Sequence, residues 1–187
     1  MVIGGIAVIA RGVRRMTTDV DVVVQGDSID IDSLVKILAR HSIAPRRRDA
    51  VAFARVNLVL LLHHVPSQVE LDVSLGWTTF EREAIAARTV IPYGKVKAPM
   101  ASPEDLLIMK AIAARPTDIR DARELLVLYP SIDLTRVRRK IDELASAADA
   151  PELAAGLDEI LKLVPRRKPR RTSKRSPARL KKPRPTK

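Results

Sequence analysis

Two aspartates, two residues apart in an apolar stretch, are the residues of this chain best suited to do chemistry. Asp19 and Asp21 alternate with valines up to Val24, a composition typical of a β-strand. Side chains at i and i+2 of a strand leave the same face, so the two Cα atoms are predicted to lie roughly 6–7 Å apart. Carboxylates this close repel each other unless a cation lies between them. Hard oxygen ligands of this kind predict a site for Mg²⁺ or Mn²⁺.

Two further features predict phosphate chemistry at the same place. Gly4 and Gly5 form a turn of the kind that lets a phosphate approach the backbone. Asp72 is a candidate third carboxylate on the polar face of a predicted strand over residues 69–75, where Glu70 is a rival ligand. Three carboxylates can hold two metal ions about 3.5–4 Å apart, the geometry of phosphoryl or nucleotidyl transfer. The first two aspartates would bridge the metals, and Asp72 would bind the ion nearer the nucleophile and accept its proton.

Apolar spacing and turn residues predict the elements that position these groups. The chain divides into an α/β part over residues 1–98, a helical part over 99–164 and a tail over 165–187. Ser102 followed by Pro103 and two acids marks the first helix of the helical part. The predicted strands are 2–3, 19–24, 50–62, 69–75 and 94–98, and the predicted helices are 6–12, 32–41, 79–88, 102–114, 118–128, 134–147 and 151–164.

The formal net charge of +12 belongs entirely to the tail. From Arg166 to Lys187 there are twelve Lys or Arg and no Asp or Glu, and subtracting these from 34 leaves 22 basic residues against 22 acidic ones. A stretch so rich in Lys, Arg, Pro and Ser is predicted to be disordered. It is either a tether for nucleic acid, held through phosphates, or a solvated extension without such a role.

Other functional classes are excluded or disfavoured by composition. The absence of cysteine excludes disulfides and thiolate metal sites. No apolar run reaches the roughly 18–20 residues that span a bilayer, so no membrane partner is expected. No basic residue precedes the apolar N-terminal stretch, which disfavours a secretory signal and makes a cytoplasmic location the expectation.

The glycine pair and the aspartate pair together resemble a known signature. Gly4-Gly5, then Arg15-x-Thr17-x-Asp19-x-Asp21, is similar to the Gly-Gly/Ser…Asp-x-Asp motif of the polymerase-β-like nucleotidyltransferase superfamily. The denser pattern resembles the branch of minimal nucleotidyltransferases and AbiEii-type toxins of type IV toxin–antitoxin systems. A second motif of that branch resembles the segment from Pro103 to Asp121, and the resemblance covers about residues 2–128.

The resemblance implies an α+β fold, a mixed sheet with helices followed by a helical half. It implies transfer of a nucleoside monophosphate from an NTP to an acceptor hydroxyl with Mg²⁺ or Mn²⁺. RNA is a candidate acceptor, and an antitoxin protein a candidate partner. In that scheme Lys110 reaches a phosphate, and Asp118 or Asp121 orients it or contacts the acceptor. The nucleotide-binding set is Gly4, Gly5, Arg15, Thr17, Asp118 and Asp121.

Plainer interpretations stay open at this point. Asp19 and Asp21 can be solvated acids at a strand end, and Lys110 with its partners can be ordinary charges on helix surfaces. His63 and His64 are adjacent on a strand and face opposite ways, so they are interpreted as polar residues at its end. Alternative functions are a catalytically weak interaction module, antitoxin-like, and a basic protein that binds nucleic acid through its tail.

Overall fold

A computed structural model describes residues 1–163. Their seven strands join into one sheet, and eight α-helices lie around it. The strands are β1 (Val2–Ile3), β2 (Asp19–Gln25), β3 (Ile43–Pro45), β4 (Val59–His64), β5 (Val69–Gly76), β6 (Thr89–Tyr93) and β7 (Val96–Met100). The helices are α1 (Gly4–Ala10), α2 (Ile31–Ala39), α3 (Ala50–Asn57), α4 (Thr79–Ala86), α5 (Pro103–Ala113), α6 (Pro116–Leu128), α7 (Leu134–Ala147) and α8 (Ala155–Leu163).

The sheet is mixed, with strand order β3-β4-β5-β2-β1-β7-β6. Strands β2 and β5 run parallel at its centre, and β4 and β1 flank them antiparallel. The hairpin of β6 and β7 joins through a parallel pair between β7 and β1. This arrangement confirms the predicted α+β class, a mixed sheet with helices, for the residues that the structure describes.

One sheet face is apolar because β2, β4 and β5 alternate. Buried Leu60, Leu62, Val73 and Leu75 pack there with Ala54 of α3 and with half-buried residues of α2. The opposite face therefore receives the intervening residues, among them the aspartates of β2 and β5. Helices α2 and α3 cover the apolar face, whereas α1 and α4 pack on the other face, where Val23 is buried.

The second core is formed by the helices after β7 together with α4. Helix α5 is buried around most of its circumference, and Leu106, Leu107 and Ile108 have no exposed surface. A helix that is buried on most sides is stable only when other elements surround it, and α6, α7 and α8 pack around α5. Ser102 caps α5 by accepting from the Asp105 backbone N–H at 3.0 Å. The predicted domain boundary between residues 98 and 99 stays a prediction.

Several predicted elements differ from the structure. The single strand predicted over residues 50–62 is wrong, because residues 50–57 form α3 and only Val59–His64 are extended. Leu58 makes the break with a left-handed backbone, φ +56°. Strands β3 and β6 were not predicted, and Gly4 and Gly5 begin a helix rather than form a separate turn.

The remaining comparisons with the sequence concern the cap of α2, membrane-spanning helices and the tail. Helix α2 is capped by Asp30, two residues before the predicted Asp32, through the Ser33 backbone N–H at 3.2 Å. Within residues 1–163, no helix combines the length and apolar character needed to cross a membrane. The tail predicted over residues 165–187 lies outside the described residues.

Candidate functional site

The sheet register places the three predicted metal-binding aspartates on one face. Strands β2 and β5 pair in parallel with Asp21 opposite Asp72 and Asp19 opposite Glu70. Residues paired across neighbouring strands share a face, as do residues two apart on one strand. Asp19 is exposed, whereas Asp21 and Asp72 are half-buried. The strand register therefore brings the three residues to one face, and their role as metal ligands stays a prediction.

Both glycines of the Gly-Gly pair are required by the close approach of site residues to α1. Gly4 has φ +60°, and a Cβ there would lie 1.9 Å from the Asp21 Oδ2 atom. A Cβ on Gly5 would lie 2.4 Å from Thr17 Oγ1 and 2.5 Å from an Arg15 terminal nitrogen. Side chains larger than hydrogen would displace these groups, so the glycines bring the start of α1 against the aspartate strand.

A cavity of about 320 Å³ lies over this junction, within the range of about 300–1,000 Å³ that ligand pockets occupy. Three elements meet at it: the start of α1, the segment leading into β2, and the region where α5 gives way to α6. Its walls carry three carboxylates and three cationic groups, so fixed charges of both signs face the same space. The lining residues are Gly5, Arg15, Met16, Thr17, Thr18, Asp19, Asp21, Lys110, Arg115, Thr117 and Asp118.

Lys110 reaches the cavity from within a buried ionic cluster. Its Nζ atom donates to Asp118 Oδ1 at 2.6 Å and lies 3.2 Å from Asp121 Oδ2. Both carboxylates have no exposed surface, so each needs a cationic partner. Arg115 donates to Asp118 at 2.5 Å, and Arg15 Nε lies 3.3 Å from Asp121. Because an ammonium carries three N–H groups, Lys110 has one more than these two contacts use.

The two cavity aspartates of β2 have different surroundings. The Thr17 hydroxyl donates to Asp19 Oδ1 at 2.5 Å. Burial raises the pKa of Asp21, the negative charge of Asp19 raises it further, and a hydrogen bond from the Gly5 backbone N–H opposes the rise. Burial would also raise the pKa of Asp118, but hydrogen bonds from Arg115 and Lys110 outweigh it and lower that pKa. The carboxylate of Asp21 would therefore favour a cation beside it, whereas the carboxylate of Asp118 already has cationic partners.

Asp72 shares the face of the other two aspartates, but its carboxylate is engaged elsewhere. Arg46, just after β3, donates a hydrogen bond from one terminal nitrogen to Asp72 and from the other to Glu70. Burial raises the pKa of Asp72, Arg46 opposes that rise, and Asp21 adds to it. Among residues 1–163, no set of three or more Asp, Glu, His or Cys side chains is placed to hold a metal ion. The three-carboxylate metal site stays a prediction.

The donor chemistry still fits a hard divalent cation at the cavity. Asp19 and Asp21 present carboxylate oxygens to the same space, and burial next to a like charge raises the pKa of Asp21. A cation there would relieve that repulsion. The residues that would hold it are Asp19 and Asp21, joined by Asp72 once its carboxylate is released.

Most of the predicted site residues lie at this cavity. Gly5, Arg15, Thr17, Asp19, Asp21, Lys110 and Asp118 line it, whereas Gly4, Asp72 and Asp121 lie next to lining residues that they contact or pair with. Arg115 was not among the predicted site residues, although it lies in the second motif, three residues before Asp118. Arg46 was missed because nothing in its local sequence indicates that it reaches β5.

Comparisons with known proteins cover most of the chain. No curated protein matches it. Solved structures that resemble it include an antigenic nucleotidyltransferase-like protein from Paracoccidioides brasiliensis, with 20% sequence identity and a TM-score of 0.46 over 84% of this chain and 83% of that chain. Residues 1–155 match the model of the family described as "Nucleotidyltransferase of unknown function (DUF6036)". The chain therefore belongs to that nucleotidyltransferase family.

Proposed function

We propose that this protein transfers a nucleoside monophosphate from an NTP to an acceptor hydroxyl at the cavity over β2 and α1. The observation that carries the proposal is the meeting of Asp19 and Asp21 with Lys110 and Arg115 in one space. Carboxylates there suit a divalent cation, and the two cationic side chains suit the phosphates of an NTP. Family membership supports the same reaction class.

In this proposal each residue at the cavity would have its own role in the reaction. Lys110 would place its remaining N–H on a phosphate oxygen, held in place by Asp118 and Asp121. Arg115, whose side chain is 72% exposed, would contact the phosphates from the rim with its remaining donors. A divalent cation at Asp19 and Asp21 would neutralise charge on the triphosphate and on the leaving pyrophosphate. Asp72, when free of Arg46, would accept the proton of the attacking hydroxyl.

Transfer of label from an NTP to an acceptor tests this proposal. Full-length protein is incubated with α-labelled NTPs, Mg²⁺ and total RNA, and products are compared with those of Asp19→Asn and Asp21→Asn. We expect each substitution to reduce transfer by at least about 100-fold, the scale of a lost group that stabilises developing charge. Asp27→Asn, an exposed carboxylate just beyond the other end of β2, is the matched control and should retain full activity.

The finer parts of the proposal concern the acceptor and the partner. RNA as acceptor follows from the resemblance to AbiEii-type toxins and from the basic tail, and an antitoxin protein as partner follows from the same resemblance. Labelled RNA that persists after protease treatment supports an RNA acceptor. Label that is removed with the protein would instead identify a protein acceptor and contradict this part of the proposal.

A second candidate function is a catalytically weak interaction module with a nucleotidyltransferase fold. The observation that favours it is the ion pair of Arg46 with Asp72, which keeps the third carboxylate from joining the other two. Folded protein that binds NTP with Mg²⁺ and transfers no label to RNA, protein or small hydroxyl compounds would favour this candidate over the enzyme.

A further inference from the structure

A row of ionisable side chains crosses three strands beside the proposed nucleotide cavity. Across the neighbouring strands β2, β5 and β4, Asp19 pairs with Glu70 and Glu70 pairs with His63. Asp21 of β2 pairs with Asp72 of β5. All five residues share the face that helices α2 and α3 leave uncovered. On the side away from β2, Asp72 pairs with Leu61 of β4, and polar groups reach it from Glu70 and from the end of the edge strand β3.

Arg46 reaches this row from the end of β3. Its backbone N–H donates to the carbonyl oxygen of Leu61 at 3.0 Å, which fixes where the side chain begins. One terminal nitrogen donates to Glu70 at 2.5 Å and the other donates to Asp72. The Arg46 side chain is 24% exposed, and its Nε atom is buried without a hydrogen-bond partner within residues 1–163. A half-buried guanidinium that joins two carboxylates is a specific cation at the position next to the metal-binding pair.

The neighbouring arginine shows that this contact is not a general property of the basic run 46–48. Arg47 donates both of its bonds to Asp49, at 2.9 Å each, and its guanidinium lies 4.3 Å from the centre of the Phe53 ring. These contacts belong to the loop before α3 and to α3 itself. Arg47 therefore offers a charge-matched control one residue away.

We propose that Arg46 is a positioning residue that competes with a divalent cation for the carboxylate of Asp72. The inference rests on the proposed function, because it takes Asp19, Asp21 and Asp72 as the metal-binding set. While Arg46 holds Asp72, its charge supplies the positive partner that a metal ion would supply. When Arg46 donates to Glu70 alone, Asp72 is free to join the pair on β2, and Glu70 keeps the guanidinium from being left without a partner. Glu70 is 56% exposed, so it can follow the guanidinium outward.

Mn²⁺ binding to the metal-free, full-length protein measures this competition without an activity assay. The signal of free Mn²⁺ in electron paramagnetic resonance gives the affinity of wild type, Arg46→Gln and Arg47→Gln. We expect Arg46→Gln to bind Mn²⁺ about five-fold more tightly, the effect of removing one ion pair that competes for the ligand. Arg47→Gln should bind as wild type does, because its guanidinium contacts no carboxylate of the row.

Thermal denaturation shows whether Arg46→Gln is folded. If it is not, Arg46→Lys is the variant that tests the inference. A lysine keeps the charge but cannot donate to both carboxylates as a planar fork does, so its Mn²⁺ affinity should lie between those of wild type and Arg46→Gln. Unchanged or weaker Mn²⁺ binding in the folded Arg46 variants would overturn the inference, as would the absence of Mn²⁺ binding in all of them. If the Arg46 variants bind Mn²⁺ more tightly but the wild-type protein transfers no label, the competition is supported and the proposed function is refuted.

Discussion

The two aspartates that line the cavity differ in what they can do although they share a strand face. Asp19 is exposed and accepts from Thr17, whereas Asp21 is half-buried and its pKa is raised, chiefly by burial. A carboxylate that is ionised in such a place destabilises the fold until a cation arrives. In the proposed metal site, Asp21 would therefore be the residue at which metal binding and folding stability are most directly linked.

The raised pKa of Asp21 leads to a pH-dependent prediction. An acid whose pKa is raised on folding favours the folded state below its unfolded value, 3.8, and loses that contribution as the pH rises through the folded pKa. At pH 7 without metal, Asp21→Asn should therefore raise the free energy of unfolding by about 1 kcal/mol or less, the scale of a single substitution, which is measured as a higher midpoint of urea denaturation. The gain should shrink as the pH falls towards 4.

The control and the contradicting result for this prediction use the same measurement. Asp27→Asn removes an exposed carboxylate and should leave the midpoint unchanged at both pH values. A lower midpoint for Asp21→Asn than for wild type at pH 7 would show that Asp21 is stabilised in its ionised form, contrary to the structure.

At the level of elements, the site depends on how closely the start of α1 approaches β2. Gly4 and Gly94 both have positive φ angles, +60° and +58°. A Cβ at Gly4 would overlap the Asp21 side chain, whereas a Cβ at Gly94 would meet nothing within 4 Å. The two glycines therefore separate the effect of backbone strain from the effect of site geometry.

Alanine substitution at each glycine tests this dependence. Gly94→Ala should cost about 1–2 kcal/mol of unfolding free energy, the strain of a left-handed alanine, and leave label transfer unchanged. Gly4→Ala should cost more than that and reduce transfer by at least about 100-fold, because the methyl group displaces Asp21. Equal stability and equal transfer in the two variants, measured by urea denaturation and by the labelled assay, would contradict the close packing of α1 on β2.

How far the elements could be predicted from sequence depended on whether their ends were marked. Helix α5 was predicted because Ser102 and Pro103 mark its start. Helix α3 was mistaken for part of a strand because no glycine or proline separates it from β4, and Leu58 makes the break instead. The aspartate face was predicted from a period of two. The contact of Arg46 with Asp72 was not, because it depends on pairing across 26 residues of sequence.

At the level of the whole molecule, charge divides the chain more sharply than hydropathy does. The 22 acidic residues balance 22 basic ones up to Pro165, and the twelve that follow carry the whole excess. Polyanions such as RNA are attracted by such a charge in a manner that depends on salt and not on sequence. The proposed binding of RNA and the proposed recognition of NTP would therefore belong to separate parts of the chain.

Removal of residues 165–187 tests that division. The truncated protein should bind RNA at least about ten-fold more weakly at 0.1 M salt, with a shallower dependence of affinity on salt, because fewer counterions are released. Binding of NTP should be unchanged. A full-length variant with the twelve Lys and Arg replaced by Gln controls for chain length, and RNA binding by that variant equal to wild type would contradict a role for the charge.

The central claim is that the cavity over β2 and α1 catalyses nucleotidyl transfer, and the position of a label in the NTP tests it most directly. Wild type, Asp19→Asn and Asp27→Asn are each supplied with Mg²⁺, acceptor and the same NTP labelled at either the α- or the γ-phosphate. The account predicts that wild type and Asp27→Asn attach the α-label to the acceptor and release the γ-label as pyrophosphate, while Asp19→Asn does neither. Attachment of the γ-label, or equal transfer by Asp19→Asn and wild type, would contradict it.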